Sequence, residues 1–293
     1  MTNETSKPSD TANTVVSCIK ESNYSTAVVD YAVWISKTAN APLKFLHTLA
    51  TQTTPAVDLS GAIGLGASAD LLEELTEAEE ARNKLQIKKG NLMLQGAKER
   101  AVSGGIENPI LCQQHGSLAD GLIELEDRIR VVVAGIRGDV ETEEPCGISP
   151  QLQTVIRSIN KPILIVNQKF SEPKEIMLAY DGNDAAKKAL SMVASSPLFK
   201  SCKCHLVHVS NNPSDEHELL EHASKHLSDS GIETVPVLLT GKIDEQLSLY
   251  QAEKDIDLML MGAFSHSRIH NFLLGSFTER MLAKTRKPVL LLR

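Results

Sequence analysis

The chain contains the same pattern twice. "TVVSCIKESNYSTAVVDYAV" followed by "APLKFLHTL" is matched later by "EIMLAYDGNDAAKKALSMVA" followed by "CKCHLVHVS". "HGSLADGLIELEDRIRVVVAGIRG" is matched by "TGKIDEQLSLYQAEKDIDLMLMGAF", and "INKPILIVNQ" by "TRKPVLLLR". The matched pieces keep their order, so the sequence reads as two copies of one structural unit.

Each copy alternates short Val/Ile/Leu-rich runs with stretches of helical periodicity. This is the pattern of a parallel sheet covered by helices on both faces. Strands are expected at Ile176 to Tyr180, His205 to Val209, Thr234 to Leu239, Leu258 to Met261 and Pro288 to Leu292. The expected fold class is therefore α/β, with two tandem doubly wound domains, each a five-stranded parallel sheet flanked by helices. Charge, Pro173 and a loss of periodicity place a linker at "NQKFSEPKE". The expected domains are residues 1–168 and 175–293. The last strands, "PILIV" and "PVLLL", are apolar and lie at sheet edges, which must be paired or covered.

The first copy carries an insertion at about residues 51–89, between its second strand and the following helix. It opens on the glycine-rich "VDLSGAIGLGASADLLEEL". Gly64 and Gly66 form a bare G-x-G with no strand leading into them, which is not a dinucleotide fingerprint. A mobile loop followed by a surface helix is expected, with a partner-binding lid as the functional alternative.

The net charge of -7 argues against sequence-independent binding to nucleic acid, which depends on a basic surface. No apolar run reaches the length of a membrane span, and "MTNETSKPSD" lacks a signal-peptide core, so a cytoplasmic address is expected. The five cysteines form an odd set without framework spacing, and Cys202 and Cys204 read as buried thiols rather than metal ligands. His222 and His226 share a helix face, but their neighbours Glu218, Glu221 and Lys225 mark a solvated surface.

In an open parallel sheet, ligands sit beyond the carboxyl ends of the strands where strand order reverses, here at the loops after strands one and four of each copy. In the second copy, Asp181 follows its first strand and offers an acceptor for a ribose hydroxyl or a base amino group. A turn or N-cap aspartate is the structural alternative. After the fourth strand, Gly262 permits close backbone approach and Ser265 offers a hydroxyl. Arg268 adds positive charge, and Gly275 with Ser276 opens a helix. Amides at a helix start, a hydroxyl and a nearby cation together make an anion cradle.

The spacing Gly262, two residues, Ser265, nine residues, Gly275, Ser276 resembles the G-x2-G-x9-G-(S/T) signature of the nucleotide-binding branch of the universal stress protein family. Asp181 and the closing "KPVLLLR" are similar to that family too, and the repeat resembles its tandem members. The resemblance implies a stress-response protein whose second domain binds ATP, AMP or ADP, with or without Mg. It assigns the base and ribose to Asp181, and the ribose and phosphates to Gly262, Ser265, Gly275 and Ser276. Ala179, Met261, His266, Phe277 and Thr278 are added as neighbours. The departure is Ser265 where the signature has its second glycine. The same resemblance implies that the copies pair through their last strands, as a pseudo-dimer within the chain or as a homodimer.

The first copy reads differently. Lys20 stands in the place of Asp181. Gly135 and Gly138 are kept, but Gly147 comes one residue early and Ile148 separates it from Ser149. Glu141, Glu143 and Glu144 add negative charge where a triphosphate would lie. This copy is expected to be structural or regulatory. The sequence holds no Walker A motif, Ser-His-Asp set or paired carboxylates that would mark a catalytic centre. A nucleotide-free scaffolding protein of the same fold is the competing function.

Overall fold

The computed structural model describes residues 13–49, 65–136, 148–211, 216–262 and 276–293. The first half runs β1 (Thr14–Cys18), α1 (Ser25–Thr38), β2 (Leu43–Leu49), α2 (Leu65–Ser103), β3 (Ile110–His115), α3 (Leu118–Leu125), β4 (Ile129–Gly135), α4 (Pro150–Ser158) and β5 (Ile163–Val166). The second half repeats the order: β6 (Glu175–Ala179), α5 (Asp184–Ser195), β7 (Lys203–Val209), α6 (Glu216–Asp229), β8 (Glu233–Leu239), α7 (Ile243–Glu253), β9 (Leu258–Gly262), α8 (Ser276–Lys284) and β10 (Val289–Leu292). The five strands expected in this half all form, with ends shifted by one or two residues.

The described strands make one continuous sheet, ordered β3-β2-β1-β4-β5-β10-β9-β6-β7-β8. Pairing inside each half is parallel, and the halves meet where β10 runs antiparallel to β5. There Val289 stands opposite Ile165, Leu290 opposite Leu164 and Leu291 opposite Ile163. Each half would end on an unpaired apolar strand, and each satisfies the other's open backbone groups. The outer edges of the joined sheet are β3 and β8. Pro236 in β8 sits where a missing N–H costs least, on an edge strand.

Period-two alternation sends neighbouring residues of one strand into different cores. Leu164, Val166, Leu290 and Leu292 join one cluster with residues of α1, α2, α5 and α6. Ile163, Ile165, Val289 and Leu291 join the other with residues of α3, α4, α7 and α8. Both cores therefore cross the boundary between the halves. Side-chain contacts follow the same path: Asn167 Nδ2 donates to the carbonyls of Thr285 (3.1 Å) and Lys287 (2.9 Å), and Arg157 on α4 lies 3.8 Å from Glu279 on α8.

The insertion differs from its expected form. Residues 50–64 lie outside the described ones, but from Leu65 the insertion is helical and runs without a break into the domain's own helix. The result is the 39-residue α2, against 14 residues in its counterpart α6. Gly66 lies in the first turn of this helix rather than in a glycine-rich loop. Leu, Ala, Glu and Lys dominate the segment after it, and their helix propensity carries the turn structure onward.

Among the described residues no helix is long and apolar enough to cross a membrane. Cys18, Cys202 and Cys204 are buried and Cys112 is half-buried, while Cys146 lies outside the described residues. Burial pushes the Cys18 and Cys204 thiols up to about 12 and is the leading cause that brings Cys202 to about 11. These values stand above the unfolded thiol, so the stability they carry is full below its ordinary value of about 8.5 and is lost as pH rises beyond it. The expected outcome is that iodoacetamide at pH 8 leaves these three thiols unmodified in native protein and labels them in urea, as read by peptide mass spectrometry.

Candidate functional site

The strand order reverses between β6 and β9, and a cavity of about 300 Å³ opens beyond their carboxyl ends. Its lining includes five residues singled out from the sequence: Ala179 at the end of β6, Asp181 just beyond it, Met261 and Gly262 at the end of β9, and Phe277 in the first turn of α8. The parallel pairing of β6 with β9 brings these segments together, setting Ala179 opposite Met261.

Asp181 is exposed and forms a tight turn. Its Oδ1 accepts from the Asn183 amide at 3.2 Å and its Oδ2 from Asn183 Nδ2 at 2.5 Å. The N-cap of α5 is Asn183, whose Oδ1 accepts from the Ala186 amide at 2.8 Å. Asp181 therefore does turn work, as the structural alternative held, but a carboxylate has about four acceptor sites and retains capacity for a further donor. Gly182 between them has a φ of 74°, in the left-handed region that glycine reaches without steric cost. Burial, and secondarily the Asp181 charge, raise the Tyr180 phenol above its ordinary value, so it stays neutral beside the cavity.

Gly262 has a packing role of its own. A Cβ there would lie 2.9 Å from both the carbonyl carbon and the oxygen of Ala185, and 3.2 Å from the Ala186 amide nitrogen. The absent side chain lets the end of β9 abut the first turn of α5. α8 is held by charge: Lys284 Nζ stands 2.5 Å and Arg280 Nε 3.7 Å from Asp244 Oδ2 on α7. The hydrogen bond from Lys284 is the main cause that holds the Asp244 carboxyl below the usual carboxylate range.

Ser265, His266, Arg268 and Gly275 lie outside the described residues, as do Gly138, Glu141, Glu143, Glu144 and Gly147 of the first half. Ser276 is the first residue of α8. Thr278 is buried and is not among the residues lining the cavity.

Sequence reasoning passed over His208, although the matched strands "FLHTL" and "LVHVS" both carry a histidine. His208 lines the cavity, and its Nδ1 donates to the Tyr180 carbonyl at 2.7 Å. Its Nε2 lies 3.0 Å from Glu216 Oε2, but without the alignment of a hydrogen bond. His47 does the same in the first half, with Nδ1 2.8 Å from the Ile19 carbonyl. In both halves, then, a histidine on the second strand pins the residue that precedes the Asp181 or Lys20 position. Two equivalent residues in repeated segments were the signal that could have found them.

The corresponding cleft of the first half is about 290 Å³ and is furnished differently. Lys20 Nζ donates to Gln151 Oε1 at 3.2 Å, and Lys89 of α2 pairs with Glu21. Gly90 of α2 packs so close to the His47 ring that a Cβ would meet its Cδ2 at 2.5 Å. Ser149 is used as the N-cap of α4, accepting from the Leu152 amide at 3.3 Å. The long helix and a lysine thus line the place that an aspartate borders in the second half.

The sequence profile of the Universal stress protein family matches residues 11–167 and again 173–293. Universal stress protein Slr1230 of Synechocystis sp. is 33% identical over 284 residues, 95% of this chain and 99% of its own. A universal stress protein of Thermus aquaticus is 29% identical over 135 residues, which is 98% of that protein but 41% of this one. The crystal structure of a universal stress protein from Archaeoglobus fulgidus superposes with a TM-score of 0.69 at 16% identity. It covers 96% of this chain and 98% of that one, and shows the same fold. With two profile matches in tandem and a full-length relative, the chain belongs to the universal stress protein family as a tandem member.

Proposed function

We propose that this protein acts in the stress response by binding ATP, or another adenine nucleotide, through its second domain (residues 175–293), with the first domain (residues 1–168) structural or regulatory. The observation that carries the reading is the cavity at the β6–β9 crossover, with an exposed carboxylate at its rim and the first turn of α8 beside it. A flat apolar base suits walls made by Val207, Val209, Leu247 and Met261. Asp181 accepts from ribose hydroxyls or the base amino group. The phosphates run toward the amides of Gly275 and Ser276 at the helix start, with Ser265, His266 and Arg268 on the loop that leads there. Mg, where present, is held by phosphate oxygens and water.

The first domain lacks the acceptor. Lys20 replaces it, Lys89 and Gly90 of α2 stand over the cleft, and Ser149 is committed to capping.

Two measurements test the reading: adenine nucleotide released on denaturing the purified protein, and calorimetric titration with ATP, with and without Mg. Asp181→Ala is expected to weaken binding about 10–100-fold, the worth of a hydrogen bond to a charged group. Lys20→Ala leaves binding unchanged. A chain that neither carries nor binds nucleotide would instead be acting as a scaffold through protein partners. Equal losses in both variants would remove the site from the second domain.

A further inference from the structure

Helix α2 packs on its domain only through its C-terminal part, where Gly90, Leu94, Ala97 and Ala101 are buried. Toward its N-terminus, every residue from 73 to 85 is exposed, on all faces of the helix. Counted back from Lys89 to its start, the helix extends for about 37 Å at 1.5 Å per residue. A helix segment that touches nothing has little to hold it, because most helical stability in proteins comes from packing one face against a neighbour.

The exposed segment carries such a face. Leu75, Ala78, Arg82, Leu85, Lys89 and Leu92 follow one another at alternating spacings of three and four, the seam of a two-helix coiled coil. Leu75, Leu85 and Leu92 are 45%, 66% and 65% exposed. Charge along the helix is segregated. Glu73, Glu74, Glu77, Glu79 and Glu80 come first with no basic residue among them, and Arg82, Lys84, Lys88 and Lys89 follow with no acidic one. Two pairings within the chain are present: Lys84 lies 3.5 Å from Glu80, and Lys89 pairs with Glu21. Both are exposed pairs that exchange partners at little cost.

We propose that this face binds a second copy of the chain, with the two α2 helices antiparallel. In that direction the acidic run of one copy lies along the basic run of the other. Leu75 meets the partner's Leu85, and the small Ala78 leaves room for the stem of the partner's Arg82. A parallel pair would stack Arg82 on Arg82, Lys89 on Lys89 and the glutamates on each other, which like-charge repulsion opposes. The contact is separate from the junction of β5 with β10, which the chain already satisfies internally, and it does not depend on nucleotide binding.

The test is sedimentation velocity on the full chain at micromolar concentration, in low and high salt. The wild type is expected at twice the mass of one chain, with the dimer weakened by salt as surface charge pairing requires. Leu75→Glu with Leu85→Glu replaces exposed side chains only, leaves the circular dichroism and melting point of the domains in place, and weakens the dimer by about tenfold or more. Two charge reversals fix the direction: Glu73→Lys/Glu74→Lys/Glu77→Lys and Arg82→Glu/Lys84→Glu/Lys88→Glu are each monomeric alone and dimeric when mixed. A monomeric wild type, or a dimer indifferent to the leucine changes, overturns the proposal. Reversals that fail to associate on mixing overturn the antiparallel arrangement.

Discussion

Leu291→Ala is expected to lower the melting temperature by about 6–12 °C, the shift that a loss of about 3 kcal/mol produces in a chain of this size. The side chain is fully buried. It lies on the strand that bridges the two halves, opposite Ile163 of β5 on one side and Met261 of β9 on the other. Nothing flexible borders it, so the space left by three carbons cannot close and the cavity term adds to the transfer term. Because each core draws residues from both halves, the loss is shared. Differential scanning calorimetry should show one transition in the wild type and one, displaced, in the variant. Two separated transitions, with only one displaced, would mean that the halves are thermodynamically independent and that the β5–β10 junction does not couple them.

Gly262→Val should cost about 1–3 kcal/mol and abolish nucleotide binding together. A Cβ at this position meets the backbone of Ala185 and Ala186 rather than a side-chain tip that could swing away. Relief therefore requires moving the end of β9 or the first turn of α5, and both border the cavity. Gly262→Ala places only the Cβ and asks for a smaller displacement, so binding should fall in the order glycine, alanine, valine. Thermal denaturation and ATP calorimetry on the same samples check this. A valine variant that keeps full affinity would show that the end of β9 does not shape the ligand site.

Gly262 also shows how a residue can be identified correctly and explained incompletely. Its sequence context pointed to backbone approach toward a phosphate, whereas the contact present is with helix α5. Asp181 is similar. Its place after a strand was readable, but its engagement with Asn183 depends on a left-handed Gly182 that a sequence pattern only suggests. His208 and His47 were in view as repeated letters. Their role needed the parallel register that sets each beside a carbonyl of the neighbouring strand.

The sequence by itself determined the duplication, the α/β class, the order of elements and the strands of the second copy. These follow from local periodicity and from comparing the chain with itself, which need no knowledge of distant contacts. Tertiary structure alone decided three things. It joined the two apolar last strands antiparallel into one sheet, because open strand edges are satisfied only by a partner whose direction the sequence does not encode. It fused the insertion with the following helix and laid Lys89 and Gly90 over the first-half cleft. It also gathered Ala179, Asp181, Met261, Gly262 and Phe277, which are spread over about a hundred residues, around one cavity. A parallel sheet makes neighbours of strands far apart in the chain, so the local signals that define each strand carry no record of the space enclosed between their ends.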